Sequence, residues 1–389
     1  MVTKDKSGID PGAESRFLGT RSARASRRQA LRYVYPYISS SFGRHANEGV
    51  CAALLASRNK VIYSTIRANG GIDDQGKERE QQRDIIAIVG PTAVGKSSLA
   101  VALARKFNGE VVSADSRQVY KGLNIGTGKI TKKEMRGVPH HLLDVANPKR
   151  QFSVSEYQKL TRKKLEEILG KGNPRKNASR SRGKLPIIVG GTGLYIQAIV
   201  NDVAFPEVPP NKTLRKKLEK KTADQLLSIL RKIDAERAKT IDKANPRRLV
   251  RAIEIATALG KVPPYRNIPR RDIEVLFIGL TVPSNELKKR ISIRLFARMN
   301  ECMIEEVEHL HKRGLTWRRM EELGLEYRYI SRYLRGFLSK EEMTQRLQSE
   351  IWHYAKRQMT WFRRDRRIRW FLPNERSKIV KAVANFLKP

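Results

Sequence analysis

From residue 84 onward, short wholly apolar runs alternate with longer stretches of helical periodicity. Ile85-Ile86-Ala87-Ile88-Val89 is apolar at every position, the pattern of a strand covered on both faces. Leu99, Leu103 and Phe107 then recur at helical spacing, predicting a helix over Ser97–Phe107. Glu110-Val111-Val112-Ser113 and Pro186-Ile187-Ile188-Val189-Gly190 read as two more strands, and IEVLFIGLTV, Ile273 to Val282, as a fourth and fully buried one. Strands separated by helices predict an α/β fold: a parallel sheet with right-handed crossovers, flanked by helices. Between Phe205 and about Arg271 the pattern becomes helical and strongly charged. Asn245-Pro246 is a helix start, a capping residue before a proline, and it puts Leu249, Ile253 and Ala256 on one face. A helical insertion over 205–271 is therefore expected, within a core made of 84–204 and 272–389. A second helical region is predicted from Asn285 to the C-terminus, and KGNPRKNASRSRGK, residues 171–184, as a flexible basic loop.

Residues 1–83 have a different texture, rich in Ser, Arg, Gly and Ala with no sustained period. The apolar pieces Leu31–Tyr35 and Cys51–Leu55 are too short to offset ordering entropy, so a disordered basic extension is expected. Its Arg and Ser content would suit an organellar targeting peptide, whereas Asp5, Asp10 and Glu14 would not. A misassigned start codon is a third reading, although no methionine lies between Met1 and Met135.

Composition adds a partner to this outline. Lys plus Arg number 79 against 39 Asp plus Glu, a formal charge of +40. An excess of that size points to a polyanion, because each neutralised phosphate releases condensed counterions. Two cysteines, Cys51 and Cys302, exclude a disulfide framework and a cysteine zinc finger and suit a reducing compartment such as the cytoplasm. No run approaches the length of apolar sequence that spans a bilayer.

The candidate chemistry starts where the first strand ends. Gly90-Pro91-Thr92-Ala93-Val94-Gly95-Lys96-Ser97 has the glycine, lysine and serine spacing of a phosphate-binding loop, between a strand and a helix. Backbone amides and the helix N-terminus would hold phosphate oxygens, Lys96 would add a point charge, and the Ser97 hydroxyl could ligate Mg²⁺. Nucleotide-binding proteins share this loop, yet the motif alone establishes neither ATP binding nor hydrolysis. Asp115 follows the second predicted strand, which places it at the carboxyl edge of the sheet beside the loop. A carboxylate there could act as general base or orient Mg²⁺, and it could equally cap a turn.

Five strings taken together go further: GPTAVGKS, DSRQVYKGLNIGT, PHHLLD (Pro139–Asp144), VGGTGLY (Val189–Tyr195) and AKRQMTWFRR (Ala355–Arg364). In this order, over about residues 84–371, they resemble the tRNA dimethylallyltransferases, the isopentenyl transferases that modify the adenosine next to the anticodon. The resemblance implies a P-loop NTPase-like core that holds dimethylallyl diphosphate rather than spending ATP. It implies Asp115 as the base that takes a proton from the exocyclic amine of adenine. It also implies Thr92 and Arg294 as diphosphate contacts and Thr192 near the reacting groups and tRNA. Asp115, Ser116, Arg117 and Gln118, with Arg247, Arg248, Leu249, Val250 and Arg251, match segments that contact the tRNA anticodon stem-loop. Trp361 and Phe362 read as core anchors, with the neighbouring cations reaching RNA backbone. One chain carries both the site and the RNA surface, so a monomer is adequate.

The chain departs from the family pattern in two places, with Leu325-Glu326-Tyr327-Arg328 where Gly-Tyr-Arg or Gly-Tyr-Lys is common and Leu295-Phe296 where Val-Asp is common. The zinc finger of eukaryotic relatives is absent, which favours the bacterial type. Competing readings are a small-molecule kinase with the same loop, a cytokinin-type enzyme acting on free adenine nucleotides, and a non-catalytic RNA-binding module.

Overall fold

The computed structural model describes residues 83–170, 183–264 and 267–388, all within the compact unit Glu80–Pro389. The expectations for residues 1–82 and for the loop 171–182 lie outside the described residues. The sheet has six strands: β1 (Arg83–Val89), β2 (Gly109–Ser113), β3 (His140–His141), β4 (Leu185–Val189), β7 (Ile273–Leu280) and β8 (Arg369–Phe371). They lie in the order β3-β2-β4-β1-β7-β8, and every pair is parallel. This is the parallel sheet that the strand pattern predicts, with the P-loop NTPase-like core that the resemblance implies.

The uniform apolarity of β1 resolves into two faces, because successive strand side chains point to opposite sides. Ile85, Ala87 and Val89 enter one core cluster, while Ile86 and Ile88 enter another on the opposite side. The second cluster is closed by α1 (Lys96–Lys106), through Leu99 and Leu103, and by α14 (Arg376–Phe386), through Ile379 and Val383. The first is larger. It takes Tyr157 from α3 (Val154–Ile168), Tyr195 from α4 (Gly193–Val200) and Leu295 from α9 (Ser284–Asn300). Met303 from α10 (Met303–Lys312), Met320 from α11 (Trp317–Leu323), Tyr327 from α12 (Leu325–Leu334) and Ile351 from α13 (Lys340–Phe362) complete it. A short helix, α2 (Lys132–Met135), precedes β3.

Residues 205–271 hold α5 (Lys212–Leu218), α6 (Ala223–Ile233), α7 (Ala235–Thr240) and α8 (Pro246–Leu259), packed around a third apolar cluster of their own. The chain leaves and returns through a two-strand antiparallel clasp, β5 (Asn201–Asp202) against β6 (Ile268–Pro269). The Asn245 side chain accepts the Arg248 N–H, with Pro246 in the first turn, a cap worth about 1 kcal/mol. Leu249, Ile253 and Ala256 are buried on one face as the spacing predicts.

Three sequence readings are corrected here. The C-terminal region is not wholly helical: β8 pairs with β7 at Ile278–Arg369, Gly279–Trp370 and Leu280–Phe371. A strand of three residues between cations is too short to show alternation. The fourth predicted strand ends at Leu280, two residues early, because Pro283 initiates α9. Trp361 is not a core anchor. It is 37% exposed, whereas Phe362 beside it is buried.

Candidate active site

The loop after β1 turns by placing Ala93 (φ 63°) and Gly95 (φ 98°) in the left-handed region. Alternation of this kind aims successive N–H groups into one concavity, an anion-binding nest at the start of α1. Lys96 Nζ folds over the loop and donates to the Pro91 carbonyl at 2.6 Å. Burial and the nearby Arg294 charge push the Lys96 ammonium down to about 7, against an opposing pull from Asp115. Lysine loses its proton as pH rises through that value. We therefore expect kcat/KM for a diphosphate substrate to fall above about pH 7, a limb absent in Lys96→Ala; a flat wild-type profile between pH 6 and 9 would contradict it.

Asp115 sits just past β2, the carbonyl of whose last residue, Ser113, accepts the Tyr157 hydroxyl at 3.0 Å. One oxygen of Asp115 caps the following turn, accepting the N–H of Arg117 at 2.8 Å and that of Gln118 at 3.3 Å. The turn-cap reading of this residue is thus present in the structure. Oδ1 holds the loop, and Oδ2 makes no hydrogen bond among the described residues.

The strand between β2 and β1 in the sheet is β4, and its Gly-Gly-Thr exit fills the space between Asp115 and the phosphate loop. Thr192 Oγ1 accepts the Ser116 N–H at 3.0 Å, fixing the turn that carries Asp115. Gln358 of α13, buried, accepts the Thr92 N–H at 2.9 Å and donates to the Gly191 carbonyl at 2.9 Å. It therefore ties the phosphate loop to the Gly-Gly-Thr turn. A Cβ on Gly191 would lie 2.0 Å from Gln358 Nε2, and one on Gly193 would lie 2.1 Å from the Trp361 ring. The glycines of this motif make room for α13. Gln358 lies within the AKRQMTWFRR string, where a glutamine among cations carries no periodic signal of such a role.

Arg294 reaches the site from α9, and its Nη2 donates to the Gly128 carbonyl at 3.1 Å. Its guanidinium lies so close that a Cβ on Gly128 would sit 2.0 Å from Nη2. Burial, then the charge of Arg298, pushes the Arg294 guanidinium down from its ordinary value. The loop that receives it is itself clamped. Glu306 accepts the N–H groups of Asn124, Ile125 and Gly126 at 3.0, 2.7 and 3.0 Å and the Tyr327 hydroxyl at 2.9 Å. Arg298 donates to the Gly126 carbonyl at 2.8 Å and pairs with Glu326 at 3.0 Å. Glu326, one of the departures from the family pattern, thus neutralises a buried arginine beside the site. Removing one partner of a buried pair strands the other charge. Glu326→Ala should therefore lose about 3–5 kcal/mol of stability, read by urea unfolding, with Glu326→Gln less affected; a loss under about 1 kcal/mol would mean that Arg298 finds water instead.

These groups enclose two cavities that meet. One, of about 740 Å³, is lined by Thr92, Ala93, Gly95, Lys96, Ser97 and Gln118 among others. The other, of about 240 Å³, is lined by Ser116, Arg117, Arg298, Glu326 and Arg357 among others. Thr92, Asp115, Thr127, Arg294 and Tyr354 line both. A third cleft, of about 480 Å³, joins Arg248 of α8 to His353, Lys356, Arg357, Trp361 and Arg364 of the α13 segment.

The expected RNA-contacting segment of α8 divides by burial. Leu249 and Val250 are buried in the helical cluster. Arg251 pairs with Glu254 at 3.1 Å and donates to the Val208 carbonyl at 2.8 Å. Glu254 also takes two bonds from Arg215, at 2.7 Å each. Arg251 is therefore committed to holding the helices together, and Arg247 and Arg248 are the exposed side chains of the segment.

Comparison with known proteins gives the chain's family. The family model for IPP transferase matches residues 118–365. The tRNA dimethylallyltransferase of Anoxybacillus flavithermus is 40% identical over 291 residues, which cover 74% of this chain and 89% of that protein. The tRNA dimethylallyltransferase 2 of Treponema denticola is 42% identical over 283 residues, covering 72% and 91%. Among solved structures, the full-length tRNA isopentenylpyrophosphate transferase of Bacillus halodurans superposes with a TM-score of 0.57 at 35% identity, covering 78% of this chain and 96% of that one. A eukaryotic dimethylallyltransferase studied in crystallographic snapshots acting on tRNA gives 0.60 at 27% identity, covering 72% and 70%. Identity of this order, held across most of the bacterial relatives' own length, decides descent: the chain belongs to the IPP transferase family, the tRNA dimethylallyltransferases.

Proposed function

We propose that this protein transfers a dimethylallyl group from dimethylallyl diphosphate to the exocyclic N6 amine of the adenosine 3′-adjacent to the anticodon in tRNA. The observation that carries the reading is the junction of two cavities at Asp115, Thr92 and Arg294. The larger holds the diphosphate against the loop amides, Lys96 and Arg294. The smaller admits the base, turned out of the anticodon loop as chemistry on a stacked base requires.

The amine of adenine is a weak nucleophile because its lone pair is delocalised into the ring. As it attacks the allylic carbon, the carbon–oxygen bond breaks and its electron pair leaves on the diphosphate. The amine proton passes to Asp115, whose Oδ2 is not engaged in capping the turn. Lys96, Arg294 and the loop amides meet the charge that grows on the leaving group.

A Mg²⁺ ion fits the same place. Among the described residues no cluster of three or more His, Cys, Asp or Glu side chains could cage a metal. Mg²⁺ does not need one, since it favours a few protein oxygens plus substrate phosphate and water. Ser97, exposed at the start of α1, would hold it, and the bound ion would neutralise the departing diphosphate.

The tRNA backbone is assigned to the cleft between α8 and α13, where Arg248, Lys356, Arg357 and Arg364 converge. Lys356→Ala should weaken tRNA binding and reduce the slope of log K against log salt by about 1; an unchanged slope would move the RNA elsewhere. We place the reaction in the cytoplasm and in a monomer, since one chain supplies every group named. Among the described residues no helix is long and apolar enough to cross a membrane. The reading is tested with labelled dimethylallyl diphosphate, Mg²⁺ and either tRNA or AMP, with ATP omitted. Label is expected in tRNA alone. Label in AMP, or transfer only when ATP is added, would overturn it.

A further inference from the structure

Helix α13 runs past both cavities. Ile351 and Arg357 face the smaller one, Gln358 faces the larger, and Tyr354 lies between them and lines both. Of the residues common to the two cavities, Thr92, Asp115, Thr127 and Arg294 are polar or charged, and Tyr354 is the aromatic one. Its ring belongs to neither of the apolar clusters that flank the sheet. The residue is partly buried, and Thr192 is among the groups that act on its hydroxyl. Burial, then the charge of Asp115, pushes the phenol well above its ordinary value, so it stays neutral.

An aromatic ring at this junction has a chemical consequence if the junction is where the allylic carbon changes partners, and to that extent the inference rests on the proposed function. While the carbon–oxygen bond breaks, positive charge spreads over the allylic carbons. The polar neighbours cannot stabilise that charge in the same way: Arg294 repels it, and Asp115 is occupied by the amine proton. The face of an aromatic ring is electron-rich and attracts a cation without capturing it. We propose that Tyr354 is a catalytic residue of this protein, contacting the transferring five-carbon group and stabilising the positive charge that develops on it. The pair that leaves on the diphosphate and the proton that reaches Asp115 are unchanged; Tyr354 forms and breaks no bond.

The test uses the full chain with labelled dimethylallyl diphosphate and tRNA under single-turnover conditions. Tyr354→Phe keeps the ring and should transfer within about threefold of wild type, whereas Tyr354→Leu should be slower by about thirtyfold, with KM for both substrates within about threefold. Phenylalanines bearing one, two and three ring fluorines at position 354 hold ring size nearly constant while draining the π face. The rate should fall stepwise along that series, a readout that a packing role would not produce. Three results would overturn the proposal: Tyr354→Phe as slow as Tyr354→Leu, which assigns the effect to the hydroxyl and Thr192; a loss confined to KM for tRNA, which makes the ring a platform for the base; or rates indifferent to fluorination. Absence of any labelled tRNA from the wild-type chain is a separate result and would remove the underlying reading.

Discussion

Replacing Asp115 by asparagine should abolish most prenyl transfer while leaving tRNA affinity nearly intact. The substitution is informative because it separates the turn cap that the carboxylate forms from the proton transfer proposed for it. Its Oδ1 accepts two backbone N–H groups of the following turn, and an asparagine carbonyl can do the same. Only the capacity to take the amine proton is lost. Removal of a general base costs about a hundred- to ten-thousand-fold in rate. Asp115→Ala should lose as much, and in addition loosen the turn that carries Ser116 and Arg117 into the acceptor cavity. Single-turnover transfer by Asp115→Asn within about threefold of wild type would take Asp115 out of the mechanism and leave it as a turn cap.

Lys96→Ala is the second large effect. The ammonium closes the phosphate loop through the Pro91 carbonyl and lies close enough to Arg294 and Asp115 to feel both charges. Losing a preorganised group that meets developing negative charge typically costs about a hundred- to a thousandfold. Labelled transfer and release of inorganic diphosphate should fall together, since they are the two halves of one event. A variant that still released diphosphate at the wild-type rate without labelling tRNA would show that Lys96 guides the acceptor and not the leaving group.

What could be read from the chain beforehand follows from how locally each feature is encoded. The phosphate loop, the strand before it and the helix after it lie within a single stretch, from Ile85 to Phe107, and each announces itself by period or by glycine and lysine spacing. The start of α8 is equally local, an asparagine before a proline. The strands β3 and β8 were missed, with two and three residues each, because neither is long enough to show a pattern. Gln358 was passed over for a different reason. Its partners, Thr92 and Gly191, lie 266 and 167 residues away, and no window along the chain contains them. Glu326 stood out in the sequence as a departure from the family pattern. Only its pairing with Arg298 explains why an acid is tolerated in a buried position there. The tRNA segment at Arg247–Arg251 shows the opposite limit: a matched string does not distinguish the exposed arginines from one spent on Glu254.

The order of the central strands sets a dimension. With β4 between β1 and β2, the loop proposed to hold the diphosphate and the carboxylate proposed to take the proton leave the sheet two strand spacings apart, about 10 Å. Backbone hydrogen bonds maintain that gap, so side-chain substitutions can tune each end without bringing the ends closer. The sheet therefore acts as a fixed gauge for the reactants. A kinase using the same loop would bridge the gap with a phosphoryl group, whereas in the proposed reaction an allylic carbon and an adenine fill it. Substituting a bulkier donor or a smaller acceptor should cost rate even where each binds well, because the frame has no means of closing on a reactant pair of the wrong combined length.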